Sequence, residues 1–230
     1  MSAQIDKNIG KLVKELIHGL ERVNKETPSV VLEISKYGWY FFNYESLLPR
    51  EPFELKELID EGRIDELDNF FLNYFYKNSN EIKIKLVDRH KPRKIIFEEI
   101  FKAHENKLFF SSICLALTQV DGICHDEFSD LFFANDERFL PKVLKHLEKE
   151  KGFMAHLFLS PIENKTAINS QEKKKDNFPV NLNRHSILHG KDLRYATEIN
   201  SLKIISFLSF ISDLIENNKT RKLKFKNGRI

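Results

Sequence analysis

Residues 108–124, LFFSSICLALTQVDGIC, predict a helix that is apolar around most of its circumference. Ile113, Leu117, Val120 and Cys124 fall on one face, and Phe109, Phe110 and Leu115 broaden it. Such a helix must be surrounded by others, which places it in the middle of a bundle. Gln119 and Asp121, with His125 and Asp126 just beyond, are the polar exceptions near its end. The 41% hydrophobic fraction and twenty Phe supply material for a sizeable core. A chain of 230 residues forms one large domain or a small domain with an extension.

The elements around this centre also read as helices. Ile5, Ile9, Leu12, Val13, Leu16, Ile17, Leu20 and Val23 recur at three- and four-residue steps, giving one apolar helix face that should stop before Pro28. Ser29 to Tyr40 is β-branched and aromatic, and predicts a short strand or an extended segment that packs Trp39 on the body. Phe53–Glu61 and Arg63–Lys77 read as two short helices around Gly62. In the second, Leu67, Phe70, Phe71, Tyr74 and Phe75 form an aromatic stripe suited to core packing, since base stacking needs exposed rings. Helical patterns continue over 81–87, 95–104 and 137–149, with a charged break at 88–93. Ser160 to Asn177 is polar and reads as a mobile loop. A last long helix, starting near Asn181 or again at Tyr195, carries Ile199, Leu202, Ile205, Leu208, Phe210 and Ile215. Strand signals are few and no internal repeat is present, so the fold class is all-α. The chain divides into an N-terminal helical and aromatic extension (1–90), a helical bundle (91–217) and a basic tail (218–230).

Composition excludes several classes. A net charge of +3 over a 31% charged chain is a mixed surface, with little bias toward nucleic acid. The tail concentrates what bias there is: Lys219 to Arg229 holds six basic residues and no acid, a solvated end or a phosphate contact. Cys114 and Cys124 are separated by about 15 Å of helical rise and cannot pair within one helix, so they read as small apolar residues in a reducing cytosol. The charged amphipathic start lacks a signal-peptide core. Every apolar run falls short of the roughly 20 residues of a membrane span. The expectation is a soluble cytoplasmic protein without a membrane partner.

One ten-residue window carries most of the groups able to do chemistry: Asn181–Gly190, NLNRHSILHG. It combines the amide of Asn183, the permanent cation of Arg184 and two imidazoles, His185 and His189, side chains that ordinarily titrate near neutrality. His185 and His189 are four apart and share a helix face, as zinc ligands often do. A zinc peptidase needs Glu directly after the first His, and Ser186 stands there. A zinc site with remote ligands stays open. Metal-free RNA cleavage is the second reading. It needs a proton acceptor, a proton donor and a cation for the developing charge: His189 can accept or donate a proton, Arg184 can hold two phosphate oxygens, and Asn183 and His185 can orient the phosphate or water. Either histidine can take either proton role. The third reading is no chemistry: composition alone predicts roughly one Arg followed by His at such spacing.

The context of the window adds information. NRHSILHG, with a polar residue after Arg and Gly after His, resembles the R-x(4–6)-H motif of HEPN-domain proteins (higher eukaryotes and prokaryotes nucleotide-binding). ALTQVDGICHDEF upstream and YATEINSLK downstream also resemble bacterial HEPN-like proteins, over roughly Arg93 to Asn217. The resemblance implies an α-helical bundle of HEPN type with the motif at the start of its last long helix. It implies a metal-independent endoribonuclease in a toxin or phage-defence setting, working without a cofactor as a homodimer whose two motifs share one cleft. RNA would be the substrate, and a cognate antitoxin or regulatory protein a possible partner. Arg184 and His189 match the motif residues, and His185 the polar residue between them. Asp121 and Asp126 read first as solvated groups at a helix end, and otherwise as partners for Arg184 or orienters of a histidine. Tyr195 and Glu198 are candidate RNA contacts, or part of the cap of the last helix beside Thr197 and Asn200. Other members of the family are inactive binding or scaffold modules, so a non-catalytic module for nucleotide, RNA or protein is the alternative.

Overall fold

A computed structural model describes residues 2–41, 51–133 and 159–226, with the side chains of some residues in the first and last helices left undescribed. Helix is the only regular structure among the described residues. The helices are α1 (Ser2–Lys36), α2 (Glu51–Asp60), α3 (Ile64–Arg89), α4 (Lys94–Glu105), α5 (Phe109–Phe128), α6 (Arg184–Leu188) and α7 (Glu198–Lys226). Short 3-10 turns cover Lys91–Arg93 and Glu172–Asn177. The expected helix over 137–149 lies outside the described residues.

The apolar helix is central, as its composition requires. α5 packs on α4 and α7, and Ile113, Ala116, Leu117, Val120, Ile123 and Cys124 are all fully buried. α7 buries almost every residue from Ser201 to Ser212, and α3 closes its other side with Leu67, Phe71 and Phe75. The aromatic stripe of α3 is therefore core, with Trp39 stacked on Phe71 at 4.7 Å. One apolar cluster runs from Val30 through Ile215.

α7 also buries polar groups, and each meets a partner, as burial demands. His104 Nδ1 lies 2.8 Å from Ser201 Oγ, and His90 Nε2 lies 2.9 Å from Ser212 Oγ. Ser206 Oγ accepts from Tyr40 N and donates to Lys203 O. Lys203 Nζ pairs with Asp68 at 3.0 Å, and Arg89 pairs with Asp213. These interruptions break any membrane-span pattern, and no helix among the described residues is long and apolar enough to cross a membrane.

Three sequence expectations are corrected. α1 does not stop before Pro28; it continues to Lys36. An interior proline costs about 3 kcal/mol, but Val30, Val31 and Ile34 beyond it are buried, each contributing roughly 1.5–3 kcal/mol. The strand alternative for 29–40 falls with it. Only Trp39 to Phe41 extend, after a turn at Gly38 whose φ of +89° suits glycine. Residues 160–177 are not a loose loop: 159–163 are helical, and Thr166, Ala167, Ile168 and Ser170 are buried. Ile162 and Ile168 anchor this segment, and Tyr40 Oη meets Thr166 Oγ1 at 2.7 Å. A polar composition hid two well-placed anchors.

Candidate functional site

The chemistry-bearing window folds into a helix of its own. Asn183 caps α6: its Oδ1 accepts from Ser186 N at 3.0 Å, while its Nδ2 donates to Ser170 O at 2.9 Å and Ser170 Oγ at 3.1 Å. The residue is 1% exposed, so it acts as a strut joining α6 to the 165–170 segment and not as a surface ligand. α6 ends at His189 and Gly190. Gly190 takes φ +68°, and Lys191 N and Asp192 N both donate to Ser186 O. α7 starts only at Glu198, capped by Thr197 Oγ1, which accepts from Asn200 N at 3.1 Å. The motif therefore does not begin the last long helix, because the left-handed glycine turn separates them.

The four-residue spacing does place the two imidazoles together. The rings of His185 and His189 have centroids 4.3 Å apart and are tilted by 56°. His189 is exposed and His185 is half-buried. His185 Nε2 lies 3.4 Å from Glu172 Oε2, and the same oxygen accepts from Lys191 Nζ at 2.6 Å. The Lys191 ammonium, hydrogen-bonded to it, holds the Glu172 carboxyl below the usual carboxylate range; His185 and Lys175 add to this. Glu172 and Lys191 went unnoticed in the sequence. Lys191 follows the motif directly, but nothing local brings Glu172 to His185, thirteen residues away.

Arg184 turns toward the bundle. Its guanidinium lies over the Phe133 ring at 4.6 Å, with Nη1 3.4 Å from Phe133 O and Nη2 3.8 Å from Asp121 Oδ2. Its Nε is buried without a partner. Burial lowers the Arg184 guanidinium and raises the Asp121 carboxyl; each charge offsets part of the other's shift. Asp121 also accepts from Phe133 N at 2.7 Å. Asp121 is thus the partner of Arg184, whereas Asp126 grips Arg93 at 2.7 Å. No contact among the described residues joins Arg184 to His189.

Tyr195 and Glu198 are engaged elsewhere. Tyr195 is buried, its Oη 3.1 Å from Cys114 Sγ and its ring edge-on to Phe110. Glu198 accepts from Tyr76 Oη on α3. Neither has a described contact with Arg184, His185 or His189. Among the described residues, no group of three or more His, Cys, Asp or Glu is arranged to hold a metal ion. The arrangement offers two imidazoles at an accessible edge, an ammonium paired with Glu172 and a guanidinium held by weak contacts. No family model matches this chain, and neither does any curated protein or solved structure.

Proposed function

We propose that this chain is a metal-independent endoribonuclease of HEPN type that acts as a homodimer. The observation that carries the reading is the pair of neighbouring imidazoles, His185 and His189, on an accessible edge beside Lys191. One imidazole takes the proton of a 2′-hydroxyl, whose oxygen attacks the adjacent phosphorus. The P–O5′ bond breaks, and a second imidazole returns a proton to the leaving oxygen. The products are a 2′,3′-cyclic phosphate and a 5′-hydroxyl.

In-line displacement puts the base and the acid on opposite sides of phosphorus, each within about 3 Å of its own oxygen. Two rings 4.3 Å apart on one helix end cannot flank a phosphorus in that way. A second copy supplies the opposite side. Arg184 serves by exchanging its 3.8 Å contact with Asp121 for phosphate oxygens, which a guanidinium binds in bidentate fashion.

The anchoring of Arg184 on Asp121 and Phe133 favours a second reading. In it, the same surface binds RNA, a nucleotide or a protein partner without turnover. Total RNA incubated with purified wild-type, Arg184→Ala and His189→Ala proteins tests both. The nuclease reading expects cleavage by wild type that EDTA does not affect and that each substitution abolishes with the fold intact. Cleavage undiminished in both variants rejects the assignment, and saturable binding without products favours the second reading.

A further inference from the structure

Glu172 holds an unusual place as a carboxylate in contact with the histidine pair. A single oxygen, Oε2, meets Lys191 Nζ at 2.6 Å and His185 Nε2 at 3.4 Å. The His189 ring lies against that of His185, and the charge of Lys175 also acts on Glu172. An ammonium and an imidazole converging on one anionic oxygen is the contact pattern of a phosphate oxygen. The local sequence makes this anion exceptional: Glu172 opens the run Glu-Lys-Lys-Lys at 172–175. Its pairs are half-exposed, with side-chain exposures of 31% for Glu172 and 54% for Lys191, so they hold it weakly.

We propose that His185, His189 and Lys191 form a phosphate subsite, and that Glu172 occupies it as an internal anion until a nucleic-acid phosphate displaces it. This deepens the nuclease reading and rests on the same surface. Glu172 then acts as a competitor of the substrate: it keeps Lys191 and His185 gathered while the site is empty and sets a threshold against weakly binding anions. A phosphate presents its anionic oxygens from a tetrahedral centre, a wider spread than the single carboxylate oxygen, so it replaces the carboxylate and still reaches His189.

The test uses full-length protein, with inorganic phosphate as the probe and the ring resonances of His185 and His189 as the readout. Glu172→Gln is expected to tighten phosphate binding about five-fold, the scale of a half-exposed ion pair removed. Adding Lys191→Met is expected to abolish that gain. Glu61→Gln removes the same charge beside Arg63 and is expected to change nothing. Equal binding by wild type and Glu172→Gln overturns the proposal. So does an equal gain in Glu61→Gln, or a gain that survives Lys191→Met. A non-cleavable deoxyoligonucleotide with and without a 5′-phosphate separates backbone from terminal phosphate by which form gains affinity. RNA cleavage is scored separately: tighter phosphate binding without cleavage keeps the subsite and removes the nuclease.

Discussion

The guanidinium of Arg93 fills the space where a side chain on residue 122 would lie. A Cβ on Gly122 would stand 2.2 Å from Arg93 Nη1 and 2.6 Å from Cζ. That space is held because Arg93 clamps α5 from the turn between α3 and α4. Its Nη2 donates to Gly122 O at 2.9 Å, its Nη1 to Gln119 Oε1 at 2.8 Å, and its Nε to Asp126 Oδ2 at 2.7 Å.

Gly122→Ala therefore expels the guanidinium and loses the clamp, although alanine alone improves a helix by about 1 kcal/mol. The two effects separate in a double-mutant cycle. In wild type, Gly122→Ala is expected to be neutral or destabilising. In an Arg93→Ala background it is expected to stabilise by about 1 kcal/mol. Urea denaturation of the four proteins measures the coupling; additive effects would mean that Gly122→Ala leaves the clamp undisturbed.

Two buried imidazoles make stability depend on pH. Burial, with smaller contributions from Lys219 and Arg89, pushes His90 down to about 4; burial also lowers His104. A folded-state value below the unfolded one means that the unfolded chain binds the proton first. The stability contribution is complete above pH 6.5 and is lost as pH falls toward 4. For His90 the loss is roughly 3 kcal/mol. Asp121 and Asp213 are raised by burial and act in the opposite sense, so the comparison must be internal. His90→Gln keeps a partner for Ser212 and is expected to flatten the fall in urea midpoint between pH 6.5 and 4 relative to wild type.

Lys203 and Asp68 are asymmetric partners. Lys203 is 2% exposed, lies 5.3 Å from the centroid of the Trp39 ring, and has its ammonium lowered by burial. Asp68 accepts from both Lys203 Nζ and Trp39 Nε1. Removing the carboxylate leaves a buried cation and an indole N–H without their acceptor. Asp68→Ala is expected to cost roughly 3–5 kcal/mol, and Lys203→Met, which fits a buried stem, much less. Thermal unfolding at neutral pH ranks the two; similar losses would mean that the ammonium itself is needed.

The parts of the fold that could be read in advance were those set by local pattern. α5 announces itself because it has almost no polar face, and the His185–His189 contact follows from a spacing of four. What escaped depends on partners distant in sequence. Pro28 is overridden by the burial of Val30 and Ile34 against other elements. The 160–170 segment looks like loop because its anchors are two isoleucines, Ile162 and Ile168, among polar residues, and its order comes from Tyr40 and Asn183. Glu172 reaches His185 only because that segment is fixed. The direction of Arg184 is set by Phe133 and Asp121, far upstream, so the motif's spacing did not reveal that its guanidinium is half-buried against them.

Asp121 is the carboxylate that faces the Arg184 guanidinium, 3.8 Å from Nη2. Asp121→Asn keeps one oxygen to accept from Phe133 N and replaces the negative charge facing Arg184 Nη2 with a neutral amide. If Arg184 contacts RNA, this substitution frees it. RNA affinity is expected to rise several-fold at low salt, and the slope of log affinity against log salt to steepen by about 1, the signature of one further phosphate contact. Arg184→Ala is expected to shift both quantities the other way. Fluorescence anisotropy of a labelled single strand over a salt series measures them. An unchanged slope in both variants would show that Arg184 binds only Asp121 and Phe133, leaving the histidine edge to meet RNA without it.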